Sequence, residues 1–101
     1  MEVTVKKLDG VTTVTLDGRL DTPASPEVSA ELEPVLQDAS GTIILDCGRM
    51  SYISSSGLRI FLTVRKAAAA AGGKVIVRGL VPEVRSVFMM TGFLNLFQIE
   101  E

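Results

Sequence analysis

The fold is decided by residues 42–58, whose sequence is TIILDCGRMSYISSSGL. The run Thr42–Leu45 is short, apolar and rich in β-branched residues, which is typical of an interior strand in a sheet with both faces covered. Asp46 is predicted to close this strand, and residues 48–56 are predicted to form an irregular loop. From Leu58 onward the apolar residues recur at helical spacing, so the loop should lead into a helix that begins near the serines.

The residues before this segment predict a hairpin and then a helix. The β-rich segments at residues 3–5 and 11–16 are separated by an Asp-Gly pair, a strong signal for a short turn, so a hairpin should open the fold. Residues 22–26, Thr-Pro-Ala-Ser-Pro, turn the chain and suit the start of a helix, because proline is favoured in the first helical turn. Apolar residues then recur on one helical face up to about Asp38.

The residues after it predict further strands and a further helix. Gly72-Gly73 should end the helix that follows the serines, because glycine adopts the left-handed conformation at helix ends. Residues 74–78 are predicted as an interior strand, the residues after Pro82 as a helix, and residues 97–99 as the last strand. A hairpin followed by alternating helices and strands predicts an α/β fold with a mixed central sheet and helices on at least one face.

The composition favours one compact cytoplasmic domain. With 47% hydrophobic residues, residues 1–101 can bury one core and leave little for a second. A net charge of −2 with interspersed signs provides no basic patch for nucleic acid. No apolar run is long enough to span a membrane and no signal-peptide pattern is visible, so we expect no membrane insertion.

The residue inventory argues against an enzyme. The chain has no histidine and a single cysteine, Cys47, so neither a Ser-His-Asp device nor a Cys/His zinc site can be built. The glycines do not form a phosphate-binding loop of the G-x-x-x-x-G-K-[ST] type. We therefore expect no catalytic residue, no metal and no cofactor, and a Cys47 that is buried and structural.

The serines Ser54, Ser55 and Ser56 allow two interpretations. Serine is a preferred helix N-cap, so one of them can cap the helix while the others are polar loop residues. Alternatively, a hydroxyl faces solvent at the positive end of the helix dipole, where an added phosphate is electrostatically tolerated and can switch a binding surface. A nucleophilic serine is disfavoured, because the chain offers no histidine as a base.

Several segments together resemble the sequence signature of STAS-domain anti-sigma factor antagonists. They follow the order of that family and extend over nearly the whole chain: residues 18–21 (GRLD), 44–46 (ILD), 52–58 (YISSSGL), 72–75 (GGKV) and 87–93 (VFMMTGF). The resemblance implies the STAS fold, as a single STAS domain over residues 1–101.

In that family the unphosphorylated domain binds an anti-sigma factor that is also a serine kinase of the GHKL type, and a sigma factor is released. Phosphorylation by the kinase undoes this binding, and a PP2C-type phosphatase restores it. The resemblance implies that Ser55 is the phosphorylated residue, with Ser54 and Ser56 as alternative acceptors. Ser54 stands where the family motif has an aspartate.

The resemblance also implies a partner-binding surface that comprises Asp21, the serines Ser54, Ser55 and Ser56, Gly57, and Arg59. Two of these residues have simpler interpretations, because Asp21 also suits a turn or a helix cap and Arg59 also suits the solvated face of a helix. A second function remains open: a constitutive STAS subunit of a transporter, a lipid-transport assembly or a scaffold, without a phosphoswitch. Ser55 would then serve only as a cap.

Overall fold

The computed structural model describes residues 1–101 as a five-stranded sheet with three α-helices and a short 3₁₀-helix. In chain order the elements are β1 (Glu2–Leu8), β2 (Val11–Leu20), α1 (Ser25–Gln37), β3 (Thr42–Ile53), α2 (Ser55–Ala71), β4 (Lys74–Arg78), α3 (Pro82–Met90), the 3₁₀-helix (Phe93–Asn95) and β5 (Gln98–Glu100). The predicted α/β class and the alternation of helices and strands are confirmed.

The sheet opens with the predicted hairpin. β1 and β2 pair antiparallel, with Leu8 opposite Val11 across the turn. Both turn residues have positive φ, 51° for Asp9 and 78° for Gly10, which is the backbone of a type I′ turn that matches the twist of the strands. The hairpin therefore fixes the register of β1 on β2 and leaves the other side of β1 as an edge of the sheet.

The remaining strands are parallel and are added in sequence order, β1-β2-β3-β4-β5. Crossovers between parallel strands are nearly always right-handed, so a sheet that grows in one direction receives every connecting helix on the same face. Side chains from α1, α2 and α3 accordingly share one apolar cluster with the inward-facing strand residues. None of these helices is both long enough and apolar enough to cross a membrane.

Aromatic rings fill the core between α2, α3 and the C-terminal residues. Phe61 of α2 lies edge-on to Phe88 of α3, with the ring centroids 5.5 Å apart. Phe97 lies 6.1 Å from Phe61, and Phe93 lies 6.0 Å from Phe88. Since such pairs add about 0.5–1.5 kcal/mol beyond the burial of area, this cluster holds the C-terminal elements against α2.

β3 is buried on both sides, as its apolar run predicts, although only one side carries helices. Ile43 and Leu45 point into the helix-covered core. Ile44 alternates to the opposite face of the sheet, which we call the helix-free face, and lies next to Ile76 of β4 in the register. These two isoleucines are only 8% and 7% exposed, so they form a small second apolar patch on that face.

The predicted end of β3 is wrong, because the strand does not stop at Asp46 and residues 48–56 are not an irregular loop. β3 continues to Ile53, which lies opposite Leu20 at the end of an equally extended β2. Two shifts of register in this half place extra β3 residues opposite β2 as bulges. The glycine and polar residues at the bulges resemble a loop in sequence, whereas Met50 and Ile53 between and after them are buried.

Two other boundaries were predicted from local sequence signals; the end of α2 is confirmed, and the start of the last strand is wrong by one residue. Gly72 caps the end of α2 with the left-handed φ of 79° that its position predicts. The last strand covers Gln98–Glu100 and not residues 97–99. Phe97 turns into the aromatic cluster, where it is 8% exposed, and the strand begins only after it.

Cys47 lies in the core, and its predicted structural role is confirmed by its complete burial. Burial raises the pKa of the Cys47 thiol to about 12, with a smaller contribution from the negative charge of Asp46. Because the thiolate is the reactive form, such a thiol is inert near neutral pH.

We expect Cys47 to react with an Ellman-type thiol reagent at about pH 8 only when the chain unfolds. The raised pKa also predicts that the free energy of unfolding falls as pH rises from about 9 to about 12, since the unfolded chain ionises its thiol first. Reagent kinetics with and without urea test the first expectation, and Cys47→Ala gives the background rate. Rapid modification of the native protein would contradict the burial of Cys47.

Candidate functional site

The serines at the start of α2 occupy different environments. Ser54 is the N-cap, and Ser55 and Ser56 are the first residues of the helix. Ser54 is buried, Ser55 is exposed and Ser56 is half-buried. The cluster therefore consists of one internal position and two positions that reach the surface to different extents.

The side chain of Ser54 joins α2 to the sheet. Its Oγ accepts a hydrogen bond from the N–H of Gly57 at 3.2 Å and donates one to the carbonyl of Leu20 at 3.0 Å. The backbone N–H of Ser54 donates to the same carbonyl at 2.9 Å. The last carbonyl of β2 thus accepts two hydrogen bonds from the cap of α2, and this fixes where the helix begins.

Ser55 presents a free hydroxyl at the positive end of α2. Its side chain is exposed and makes no hydrogen bond within the chain, in contrast to that of Ser54. α2 has 17 residues, long enough for its dipole to place roughly half a positive charge at this end. A phosphoryl group on Ser55 would enter this positive region without displacing a packed side chain.

Ser56 and Arg59 line a shallow polar cleft between α1 and α2. Thr22, Ser25 and Ser29 contribute hydroxyl groups from the α1 side of this cleft. Arg59 is exposed and takes part in no ion pair within the chain, so its guanidinium is available to an acidic group. It lies one helical turn after Ser55, on the same side of α2.

Asp21 shapes the turn between β2 and α1. Its Oδ1 accepts a hydrogen bond from the N–H of Ala24 at 3.0 Å. Its backbone carbonyl accepts the N–H and the hydroxyl of Ser25, at 3.2 Å and 2.9 Å. These bonds support the turn interpretation of Asp21, while its contact with a partner stays a prediction. Because Asp21 directly follows Leu20, this turn and the Ser54 cap are anchored on neighbouring residues.

Gly57 allows α2 to begin close to the sheet. A Cβ at this position would lie 2.7 Å from Cγ of Leu20 and 2.8 Å from Cγ1 of Ile53, well inside van der Waals contact. Gly57 is itself buried, like Ser54. Of the predicted partner-binding residues, these two therefore position the helix, whereas Ser55 and Arg59 are exposed on it.

A cation–π pair beside the serines has no counterpart in the sequence-based prediction. Arg19 on β2 and Tyr52 on β3 are opposite one another in the register, and the guanidinium carbon lies 4.3 Å from the ring centroid. Tyr52 is 40% exposed and lies two residues before Ser54. A loop assignment for residues 48–56 gives Tyr52 no cross-strand neighbour, so only the structure reveals the pair.

Comparison with known proteins identifies related chains. A family model described as STAS domain matches residues 2–101. BtrV of Bordetella bronchiseptica, a candidate anti-sigma factor antagonist, is 35% identical over 99 residues, which cover 98% of this chain and 85% of BtrV. An anti-sigma-B factor antagonist of Staphylococcus aureus is 28% identical over 88 residues, which cover 87% of this chain and 82% of that protein.

A solved structure shares the architecture as well. The crystal structure of a candidate anti-sigma factor antagonist from Thermotoga maritima matches with a TM-score of 0.89, over 98% of this chain and 86% of that one. The two sequences are 17% identical, so this likeness concerns the fold. The arrangement of the strands and helices described above is therefore a known fold for such proteins.

Replacing Ser54 and Ser55 singly should separate the cap from the surface hydroxyl. Ser54→Ala should lower the free energy of unfolding by about 1–2 kcal/mol, because it removes the cap and a bond to the Leu20 carbonyl. Ser55→Ala should change it by less than about 0.5 kcal/mol, because that hydroxyl is exposed and unpaired. Urea denaturation measures both changes. Similar losses in the two variants would contradict this division of roles.

Gly57→Ala should lower the free energy of unfolding by about 1–3 kcal/mol, since the added methyl must displace Leu20 or Ile53. Helix propensity alone predicts the opposite sign, because alanine is favoured over glycine in a helix by about 1 kcal/mol. Ser56→Ala, one residue earlier, is a matched control that adds no methyl group to the core. A stabilised Gly57→Ala protein in thermal or urea unfolding would show that α2 is free to shift away from the sheet.

Proposed function

We propose that this chain, which belongs to the STAS domain family, is an anti-sigma factor antagonist controlled by phosphorylation of Ser55. Its unphosphorylated form binds an anti-sigma factor that is also a serine kinase, and a sigma factor is released. Phosphate on Ser55 strongly weakens this binding. The observation that carries the proposal is the exposed, unpaired hydroxyl of Ser55 at the N-terminus of α2.

Family membership confirms two predictions made from the sequence. The resemblance to STAS-domain anti-sigma factor antagonists holds over the length of the chain. The chain is not an enzyme, because proteins of this family act by binding. We therefore assign the chemistry at Ser55 to partners: a GHKL-type kinase adds the phosphate from ATP, and a PP2C-type phosphatase removes it.

Ser55 is the acceptor that the local structure favours. Phosphorylation of Ser54 would break its hydrogen bonds to Leu20 and Gly57 and would bury a charged group. Ser56 is half-buried along the cleft that it shares with Arg59. Of the three serines, Ser55 alone is both exposed and free of the hydrogen bonds of the cap, so its hydroxyl is the most accessible to a kinase.

Ser54, in place of the aspartate of the family motif, keeps the cap and changes the charge. Serine and aspartate are both strong N-caps, but only a hydroxyl can donate the bond that Ser54 makes to Leu20. The first turn of α2 contains no acidic residue, so the helix dipole is uncompensated in the unmodified protein. A phosphate on Ser55 would be the first negative charge within the first turn of α2, and it would outweigh the partial positive charge of the helix dipole there.

A phosphate on Ser55 would oppose docking in two ways. It adds about −1.5 to −2 charges, which must lose their hydration when a partner covers the helix end. It can also pair with Arg59, one turn away, and so withdraw that guanidinium from an acidic group of the partner. Together these effects can amount to several kcal/mol, enough for about 100-fold weaker binding.

The proposed docking surface comprises the turn at Asp21, Ser55, Ser56 and Arg59, while the buried Ser54 and Gly57 hold this end of α2 in place. Arg19 and Tyr52 extend it along the ends of β2 and β3. We propose that the STAS domain of residues 1–101 works in the cytosol through this surface. The chain then acts on transcription through protein partners, without touching nucleic acid or inserting into a membrane.

The first test is to incubate the purified protein with ATP and the kinase recovered from native cells with this chain as bait, and to map phosphate by mass spectrometry. We expect phosphate on Ser55 in the wild type and none in Ser55→Ala. Ser56→Ala is the matched control and should be phosphorylated like the wild type. Absence of phosphate throughout Ser54–Ser56 would contradict the switch.

The second test compares binding of the kinase to the phosphorylated and unphosphorylated proteins by calorimetry. We expect about 100-fold weaker binding after phosphorylation, and near-wild-type binding for Ser55→Ala. The alternative function, a constitutive STAS subunit, predicts equal binding of both forms to its assembly. It also predicts that the bait recovers a transporter or scaffold component in place of a kinase.

A further inference from the structure

The outer edge of β1 is an unpaired strand with two exposed apolar residues. β1 lies at the end of the strand order and pairs only with β2. Six of its seven residues are exposed, and two of these six are apolar: Val5, which is 44% exposed, and Leu8 beside the turn, which is 74% exposed. An open edge of this length, about 23 Å, presents backbone N–H and C=O groups that can accept another strand.

The hairpin determines which backbone groups point outward from this edge. In a two-residue type I′ hairpin the residues that flank the turn, here Leu8 and Val11, exchange both hydrogen bonds. Bonding alternates along an antiparallel pair, so the even-numbered residues of β1 bond to β2. The odd-numbered residues, including Val3 and Val5, direct their N–H and C=O groups to the free edge. An added antiparallel strand must therefore place its own outward-bonding residues opposite Val3 and Val5.

We propose that a second copy of this chain binds this edge, with the two β1 strands antiparallel and the two-fold axis at Thr4. In this register Val3 of each copy lies opposite Val5 of the other, so outward-bonding residues are matched. On the helix-free face Glu2 of each copy lies opposite Lys6 of the other. The two five-stranded sheets then form one continuous sheet.

Charge selects this register among those that the backbone allows. Moving the axis by one residue to Val5 would put Glu2 opposite Leu8. Moving it to Val3 would put Glu2 opposite Thr4. Only the axis at Thr4 creates two opposite-charge pairs across the strands, and such pairs stabilise a sheet whereas like charges destabilise it.

The same register covers Val5, one of the two exposed apolar residues of β1, whereas Leu8 at the turn lies outside the paired segment. Val3 and Val5 lie on the core side of β1, opposite Leu16 and Val14 of β2 in the existing hairpin. In the dimer each Val5 would gain Val3 of the second copy as a cross-strand neighbour. The pairing thus reduces the exposure of Val5 and continues the apolar side of the sheet across the two-fold axis.

The charges on the edge of β1 favour pairing with an identical strand over pairing with unrelated strands. Lysine on an edge strand disfavours pairing with unrelated chains, and Lys6 repels a strand that places a basic residue opposite it. A single pair of strands makes a small interface, below the roughly 1,200 Å² of stable complexes, so the dimer is weak and concentration-dependent. β2 separates this edge from β3 and α2, so self-association and docking at Ser55 use different surfaces.

Sedimentation velocity at low ionic strength, from about 10 μM to about 1 mM protein, tests the proposal. We expect the wild type to dimerise over this range. Glu2→Lys and Lys6→Glu should each weaken dimerisation by on the order of 10-fold, because each creates two like-charge pairs across the strands. An equimolar mixture of the two variants should associate again, since every positive position of one then lies opposite a negative position of the other.

Lys66→Glu is the matched control, because it makes the same charge change at an exposed lysine of α2 that has no ion pair and lies away from the edge of β1. It should dimerise as the wild type does, and thermal unfolding checks that all variants are folded. A wild type that stays monomeric at the highest concentration overturns the proposal, even if it captures a strand of another protein. A dimer undiminished by both reversals, or a mixture that fails to associate, overturns it as well.

Discussion

The carbonyl of Leu20 accepts two hydrogen bonds from Ser54, and the geometry of the functional end of the molecule depends on this contact. The contact joins the end of β2 to the cap of α2 across 34 positions in the sequence. Gly57 packs on the side chain of the same leucine, and the turn at Asp21 begins on the next residue. The strand end, the turn and the helix start are therefore one rigid unit, and Ser55 projects from it.

The order of the strands complements this local arrangement. In open α/β sheets, small ligands bind where the strand order reverses, because the loops diverge there and leave a crevice. The strand order of this sheet runs from β1 to β5 without a reversal. The carboxyl ends of β2 and β3 are instead tied together through Leu20 and Ser54, and they offer a surface rather than a crevice. This topology agrees with a domain that recognises a protein partner.

The sequence predicts the elements whose signals are local. The Asp-Gly hairpin, the apolar faces of the helices and the glycine end of α2 all follow from residues a few positions apart. The second half of β3 does not, because its bulges carry loop-like residues and its only partner strand is more than 30 positions away. The same distance limits the site: three consecutive serines are equivalent as caps until the position of Leu20 is known, and then Ser54 is selected.

The two halves of β3 have different neighbours. Thr42–Asp46 are the only residues of β3 that pair with β4, whereas the residues from Arg49 to Ile53 pair with β2 alone. The second half of β3 thus extends beyond the part of the strand that is paired on both sides. Bulges in it can absorb an inserted or deleted residue, and side chains such as Tyr52 can vary without disturbing the packing of the first half. The exposed side chains of this second half can therefore change at little cost to the core, which makes the stretch of β3 before Ser54 the part of the sheet most open to divergence.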